Sequence, residues 1–212
     1  DRGVYSFCMC PGGEVVAAAS EEGGVVTNGM SNYARDGVNA NAALAVSVLP
    51  KDFGNTPLSA IEFQRKLERA AFSAGGGNYF APAQTLGAFM SGTCDKSFGK
   101  VVPTYMGGDK TQFCDLNRIL PSFVSEMLKV GINDFGRKIR GFDAEYAVLT
   151  GVETRTSAPV RILRDVNMLA NGFENIYPAG EGAGYAGGIT SAAVDGIAVA
   201  AKLMSVYRPM LG

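Results

Sequence analysis

A glycine-rich segment followed by a helical pattern places the strongest constraint on the fold of this chain. Residues 180–188, GEGAGYAGG, contain the spacing G-x-G-x-x-G at Gly182, Gly184 and Gly187. A dinucleotide-binding unit with this spacing needs a second parallel strand after the helix and an acidic residue ~20 positions further on. Here the helical pattern continues to about Tyr207, and only RPMLG follows. The motif is therefore not expected to open a dinucleotide-binding unit.

The same segment nevertheless has the chemistry of a ligand site. Glu181 follows a predicted strand, ENIYPAG, and could accept hydrogen bonds from ribose-like or ribityl hydroxyls. The amides of Gly187, Gly188 and Ile189 are expected at a helix N-terminus, which favours an anionic or electron-rich group. Because glycine has no side chain, a flat ring could lie against the backbone at 187 and 188. The alternative is a tight strand-to-helix turn whose small residues serve packing only.

Composition excludes several classes of function. With 19 basic and 20 acidic residues, the chain offers no predicted surface for nucleic acid or an anionic membrane. The absence of histidine excludes a Ser-His or Cys-His nucleophile within this chain. Without histidine and without a C-x-x-C pair, no metal site is predicted. No apolar run reaches the ~20 residues of a membrane span, and the start is not a signal peptide, so a cytoplasmic protein is expected.

Periodicity and turn signals predict a β layer, a helical block, more strands and a final strand-turn-helix. Strands are expected in VYSFCMC and EVVAAAS, joined by a Pro-Gly-Gly turn, and in ALAVSVLP, YAVLTGVE, PVRIL and ENIYPAG. Helices are expected from Thr56-Pro57 to the Gly75 stop, in PAQTLGAFM, DLNRIL and SFVSEMLKVGINDFGRKI, and from Ile189 to Tyr207.

Three long stretches resemble one family of proteins. YPAGEGAGYAGGITSAAVDGIAVA resembles the C-terminal flavin motif of two-dinucleotide-fold flavoproteins, and more narrowly that of uncharacterised bacterial FAD-dependent dehydrogenases, the NAD(FAD)-utilising dehydrogenases. FCMCPGGEVVAAASEEGGVVTNGMSNYARDGVNANAALAVSV and GVETRTSAPVRILRD resemble signature stretches of the same family. Its members carry an N-terminal βαβ unit with the true G-x-G-x-x-G, which does not occur here. The resemblance therefore implies the C-terminal portion of such a flavoprotein.

The resemblance also implies a fold and a set of partners. The expected fold class is α+β, or mixed α/β: residues 1–150 form a substrate-side β layer with a helical insertion at about 56–140. Residues 151–212 complete an FAD-binding domain. The implied partners are the N-terminal FAD-binding half, NAD(P)H and a small-molecule substrate, with self-association of this chain as a further expectation. FAD is expected in the full-length protein and not on this chain alone.

By resemblance, six residues are candidates for contact with the flavin. They are Gly180, Glu181, Gly187, Gly188, Ile189 and, in the segment ETRTS, Arg155, which could face the ring or a substrate anion. From the residues alone, ETRTS is better explained as a polar hairpin loop between two apolar strands.

The substrate-side candidates are Cys10, Asn28 and Arg35. Cys8 and Cys10 alternate along a predicted strand and should share a face, as small buried hydrophobes or as redox thiols beside a flavin. Asn28 and Arg35 belong to the polar run TNGMSNYARDGVNAN, which suits either a surface loop or a substrate-facing loop. No catalytic acid or base is predicted.

The function expected from these features is that of part of an FAD-dependent oxidoreductase, inactive by itself. The flavin would supply the redox chemistry while the protein positions it and the substrate. The alternative is a non-catalytic binding or interaction module that retains a flavoprotein scaffold.

Overall fold

The computed structural model describes residues 2–207, which form two compact units. The larger unit comprises the chain up to Phe53 together with Glu62–Thr154, and the smaller unit comprises Gly54–Ile61 and the chain from Arg155 onward. Two three-stranded sheets and five α-helices in the described residues confirm the expected α+β class. The expectation that residues 1–150 form a substrate-side domain and residues 151–212 complete an FAD-binding domain stays a prediction.

The first sheet of the larger unit is antiparallel, with strands β1 (Val4–Ala17), β2 (Thr27–Ser31) and β3 (Asn39–Val46) in the order β2-β1-β3. The predicted turn at Pro-Gly-Gly is wrong, because β1 runs straight through it. Register shifts against β3 between Phe7 and Gly13 take up the extra residues as bulges.

Gly12 makes this bulged strand possible. Its φ is +53°, and a Cβ on Gly12 would lie 1.9 Å from the carbonyl oxygen of Arg35. Only glycine therefore fits where the strand meets the loop that contains Arg35.

Helix α1 (Pro50–Phe53) is a single turn, and helix α2 (Pro57–Ala74) confirms the helix predicted from Thr56-Pro57 to Gly75. The Thr56 hydroxyl accepts a hydrogen bond from the Ser59 amide at 3.1 Å, as an N-cap does. At the other end, Gly76 and Gly77 adopt positive φ and stop the helix.

The second sheet contains β4 (Ala81–Thr85), β5 (Thr111–Phe113) and β6 (Val148–Thr150), with β4 in the centre. The helix predicted in PAQTLGAFM is half wrong, because APAQT forms β4 and only Leu86–Ser91 forms a helix, α3. β4 pairs in parallel with β5 and antiparallel with β6. These long-range pairings decide the conformation of an apolar run too short for its period to be diagnostic.

Helix α4 (Ser122–Lys138) confirms the helix predicted in SFVSEMLKVGINDFGRKI, whereas DLNRIL forms only a 3₁₀ turn, Leu116–Arg118. A second 3₁₀ turn covers Tyr105–Gly107. The larger unit has two clusters of buried side chains. One contains Val25, Ala71, Ala81, Tyr105 and Val152, and the other contains Leu86, Phe89, Leu116, Leu128 and Ile132.

The smaller unit is mostly irregular apart from helix α5 (Ile189–Val206), which confirms the final predicted helix. The strands predicted in PVRIL and ENIYPAG are wrong; neither segment pairs as a strand within the described chain, and only an isolated bridge, between Arg164 and Ala170, forms between them. A strand requires backbone partners along its length, and no strand of the described smaller unit supplies them.

Helix α5 is the one helix among residues 2–207 that has the length and composition of a membrane span, with a mean hydropathy of 1.5 over 18 residues. Asp195 lies in its first half, and Lys202 lies near its end. A charged residue in the middle of a lipid-facing helix is costly, whereas small apolar residues such as Ala193 and Ala198 suit close packing in protein.

Candidate functional site

The glycine-rich loop before α5 is a compact turn. Gly180 and Gly184 adopt φ of +70° and +84°. The amide of Tyr185 donates to the Gly180 carbonyl at 2.9 Å, and the amide of Gly184 donates to the Glu181 carbonyl at 2.8 Å. A Cβ on Gly184 would lie 2.5 Å from the carbonyl oxygen of Val160. Two glycines of this loop thus serve the turn and its contact with the preceding chain.

Gly187 has open space where a side chain would stand, and a Cβ on Gly188 would meet only the Oγ of Ser191, at 3.9 Å. No atom lies within 4 Å of a Cβ built on Gly187. Gly188 is the N-cap of α5 in an extended conformation, and no side chain caps the helix. The first amides of α5 therefore have no side-chain partner, and they carry the partial positive charge of a helix N-terminus. Ile189, the first residue of the helix, is 94% exposed.

Glu181 is a half-buried residue between these glycines. Among the described residues its carboxylate forms no hydrogen bond and no ion pair. The loop therefore presents the Glu181 carboxylate, which has no hydrogen-bond partner in the described chain, beside the uncapped amides at the start of α5. These groups can accept hydrogen bonds from, and donate them to, a bound molecule; that this molecule is a flavin stays a prediction.

An ion pair that the sequence analysis missed fastens this loop to α5. The carboxylate of Asp195 accepts from the Arg164 guanidinium and, at 2.8 Å, from the backbone amide of Gly180. Arg164 also donates to the carbonyl of Pro178 at 2.7 Å. The hydrogen bond from Arg164, followed by that from Gly180, lowers the pKa of Asp195. Both side chains are largely buried, so this pair holds the start of the loop in place.

Tyr185 adds a second attachment. Its ring lies under the Arg164 guanidinium, 3.6 Å from ring centroid to Cζ, and its hydroxyl donates to the carbonyl of Ile162 at 3.0 Å. Arg161 donates from Nε to the carbonyl of Gly184 at 2.8 Å. Asp195 is the one acidic residue of the mostly apolar helix α5, which was the sequence signal for a buried partner, but that partner lies 31 positions away.

The segment ETRTS crosses from the larger to the smaller unit, and Arg155 is exposed. In the larger unit, Thr154 is held by α2: its carbonyl accepts from Gln64 Nε2 at 2.9 Å, and its hydroxyl donates to Glu68 Oε1 at 2.7 Å. Burial raises the pKa of the neighbouring Glu153 to about 7. Glu153 is therefore a carboxyl group able to gain or lose a proton near neutral pH.

Sequence reasoning missed Gln64 and Glu68 as well. Both are buried, at 9% and 2% exposure, on the face of α2 that also carries Ala60 and Ala71. Their spacing of four places them on one side of the helix, among apolar positions. Polar residues inside an apolar stripe were the signal that could have identified them.

The substrate-side candidates Cys10, Asn28 and Arg35 all lie in the larger unit. Cys8 has a φ of +48°, and the register shift between Phe7 and Cys10 interrupts the alternation that would put both cysteines on one face. Asn28 pairs with Val16 across the sheet.

The loop that contains Arg35 is tied to the bulged part of β1. Arg35 has a φ of +54°, and the amide of Gly37 donates to the carbonyl of Gly12 at 3.1 Å. The structure thus brings the Arg35 loop next to the strand segment that follows Cys10. It gives no functional role to either residue.

Two comparisons place this chain beside known proteins, one by a family model and one by a related sequence. Residues 1–156 match the family described as FAD-dependent protein, C-terminal domain-like. An uncharacterized protein of Clostridium beijerinckii (strain ATCC 51743 / NCIMB 8052) is 55% identical over 207 residues. That alignment covers 97% of this chain and 38% of the relative, so the chain spans well under half the length of the protein it matches.

Proposed function

Because this chain belongs to the FAD-dependent protein C-terminal domain-like family, we propose that it is part of an FAD-dependent oxidoreductase. In this proposal the larger unit lies on the substrate side, and the smaller unit contributes the loop that contacts the flavin. When bound, the flavin would transfer electrons between NAD(P)H and a small-molecule substrate. The family supports a flavoprotein domain, and the reaction is our proposal.

The observation that carries the proposal is the open N-terminus of α5. Gly187 and Gly188 leave space beside uncapped amides, and Glu181 keeps a carboxylate without a partner in the described chain. A turn built only for packing has no need of open space beside uncapped helix amides. The amides of Gly187, Gly188 and Ile189 would stabilise electron density on the ring, while Glu181 would orient the ribityl hydroxyls and Gly180 would position Glu181.

Arg155 is proposed to face the ring or a substrate anion, because it is exposed next to a segment that α2 holds rigidly. Cys10, Asn28 and Arg35 are proposed to face the substrate.

The adenosine and pyrophosphate contacts are proposed to come from an N-terminal FAD-binding half of the full-length protein. We also propose a cytoplasmic location, with α5 packed against protein. The Asp195–Arg164 ion pair supports packing in protein, because a charged pair on this helix would be costly in a lipid environment.

The experiment is a comparison of the full-length protein with this chain alone. We expect the full-length protein to purify with the absorbance of bound flavin and to bleach anaerobically on addition of NADH or NADPH. The chain alone should hold no FAD, because too few contacts offset the cost of ordering the ligand. If the full-length protein holds no flavin, or if neither NADH nor NADPH reduces the bound flavin, the result would favour a non-catalytic module that retains a flavoprotein scaffold.

A further inference from the structure

Two cysteines that are distant in sequence lie beside the same edge of the central strand β4. The amide of Cys114, just after β5, donates to the carbonyl of Ala83 at 3.2 Å. Two residues further along β4, the amide of Thr85 donates to the carboxylate of Asp95 at 2.6 Å. The carbonyl of one residue and the amide of the second residue after it point to the same edge of a strand. Cys114 and the residue after Cys94 are therefore neighbours along that edge.

The side chain of Gln84 fastens the two segments together. Gln84 is fully buried; its Nε2 donates to the carbonyl of Thr93, and its Oε1 accepts from the amide of Leu116 at 2.9 Å. The Thr85 hydroxyl adds a further hydrogen bond to Asp95 Oδ1 at 2.8 Å. Cys94 is thus anchored through the residue on each side of it, next to the segment that begins with Cys114.

The two thiols differ in accessibility. Both are free; Cys94 is exposed, and Cys114 is half-buried. Burial, and then the negative charges of Cys94 and Asp115, raise the pKa of the Cys114 thiol, while Arg118 acts in the opposite direction. The effect of Cys94 on the pKa of Cys114 agrees with the hydrogen bonds of Gln84, which hold the two cysteine-containing segments side by side.

We propose that Cys94 and Cys114 form a redox-sensitive dithiol that a hydroperoxide converts into a disulfide. The Cys94 sulfur, which solvent reaches, attacks the O–O bond and becomes a sulfenic acid, while the second oxygen leaves as water or an alcohol. The Cys114 thiol then loses its proton as its sulfur attacks the sulfenic sulfur; the S–S bond forms, and the sulfenic hydroxyl leaves with that proton as water. Two thiols lose two hydrogens, and the hydroperoxide takes up two electrons.

The test uses the purified protein, fully reduced and then treated with an equimolar amount of hydrogen peroxide before alkylation and peptide mapping. We expect a linked pair of peptides that contains Cys94 and Cys114, lacks two hydrogens and separates again with dithiothreitol. Closing a loop of about 20 residues should also raise Tm by several degrees relative to the reduced protein.

Single serine variants assign the steps. C94S and C114S should each abolish the bridge, and C114S should leave a sulfenic acid on Cys94 that dimedone traps. C8S and C10S are matched controls, which should form the bridge as the unmodified protein does. The unmodified protein alone also decides the matter, independently of how the variants fold. The proposal would be overturned if alkylation after peroxide treatment still modified both Cys94 and Cys114 completely. A bridge that involves Cys8 or Cys10 would overturn it as well. Neither outcome depends on flavin binding.

Discussion

Glu181 is the residue at which structure and proposed chemistry meet most directly, because its carboxylate has no partner among the described residues. Glu181→Gln keeps the size and one acceptor oxygen and removes the charge. We expect FAD affinity in the full-length protein to fall by roughly 1–2 kcal/mol, the value of a charge-assisted hydrogen bond. Fluorescence titration of the apoprotein with FAD measures this change.

The same substitution should leave stability almost unchanged, since no contact within the described structure is lost. Thermal unfolding of the flavin-free protein provides that control. An equal Kd for FAD in the Gln variant, the Ala variant and the unmodified protein would remove Glu181 from the site.

The raised pKa of Glu153 predicts that the free energy of unfolding depends on pH. Its pKa is raised by burial from an ordinary value of 4.5 to about 7, so the folded state holds this proton more tightly than the unfolded state does. Stability from this group is complete below pH 4.5 and falls as pH rises towards about 7. With a discount for partial exposure, the loss is roughly 1–2 kcal/mol.

Glu153→Gln should remove that slope and stabilise the protein at pH 8 relative to the unmodified chain. Urea unfolding at pH 5 and at pH 8 for both proteins measures the difference. Parallel pH profiles of the two proteins would show that the Glu153 carboxyl is not perturbed in this way.

At the scale of elements, the Arg164–Asp195 pair should control the order of the glycine-rich loop. Asp195→Asn retains an acceptor for Gly180 but loses the charge opposite a largely buried guanidinium. We expect a local loss of about 2–3 kcal/mol, because an unpaired buried charge is costly. Hydrogen exchange of residues 178–185 should accelerate correspondingly.

Asp134→Asn is the matched control for that variant. Asp134 pairs with Lys138 at 2.6 Å, but both side chains are at least half exposed. Its loss should change stability very little, because the pair is screened by solvent, and should leave exchange in the loop unchanged. Equal effects of the two substitutions on exchange in the loop would contradict the role given to Asp195.

The three long helices were predicted well from sequence because their signals are local, whereas the two short ones, in PAQTLGAFM and DLNRIL, were not. Thr56-Pro57 at the start of α2 and the glycines after it determine that element within a few residues. Strands were predicted less well, since pairing with distant segments decides them. β1 continues through Pro-Gly-Gly because β3 tolerates bulges there, and Ala81–Thr85 extends because β5 and β6 flank it.

In the candidate site too, features with a local signal could be predicted from the sequence, and long-range contacts could not. The open glycines and Glu181 are visible in the sequence, because a glycine-rich turn before a helix has recognisable local chemistry. Asp195 with Arg164, and Gln64 with Thr154, are contacts across 31 and 90 positions that no local pattern reveals. The raised pKa of Glu153 follows from burial, which also depends on the whole fold.

At the scale of the whole molecule, one face of α5 stands out. Along this face Val194, Ile197 and Met204 are 62%, 69% and 73% exposed, while Val199 on the opposite face is buried. Residues three and four apart share a face of a helix, so Ala201 completes a continuous apolar stripe. Monomeric proteins rarely leave such a patch in water. We therefore expect this chain to associate with itself through α5, and less so in the full-length protein, where other segments can cover the stripe.

Ile197→Glu places a charge in the centre of the stripe and should shift the chain towards the monomer in light scattering and sedimentation velocity. Val130→Glu is the control: Val130 is 63% exposed on α4, outside the stripe, and its substitution should leave association unchanged. Because α5 is exposed in the single chain, hydrogen exchange of its amides should slow as concentration rises, while that of β4 should not change. A chain that is monomeric at every concentration, with α5 as protected as β4, would show that this surface needs no partner.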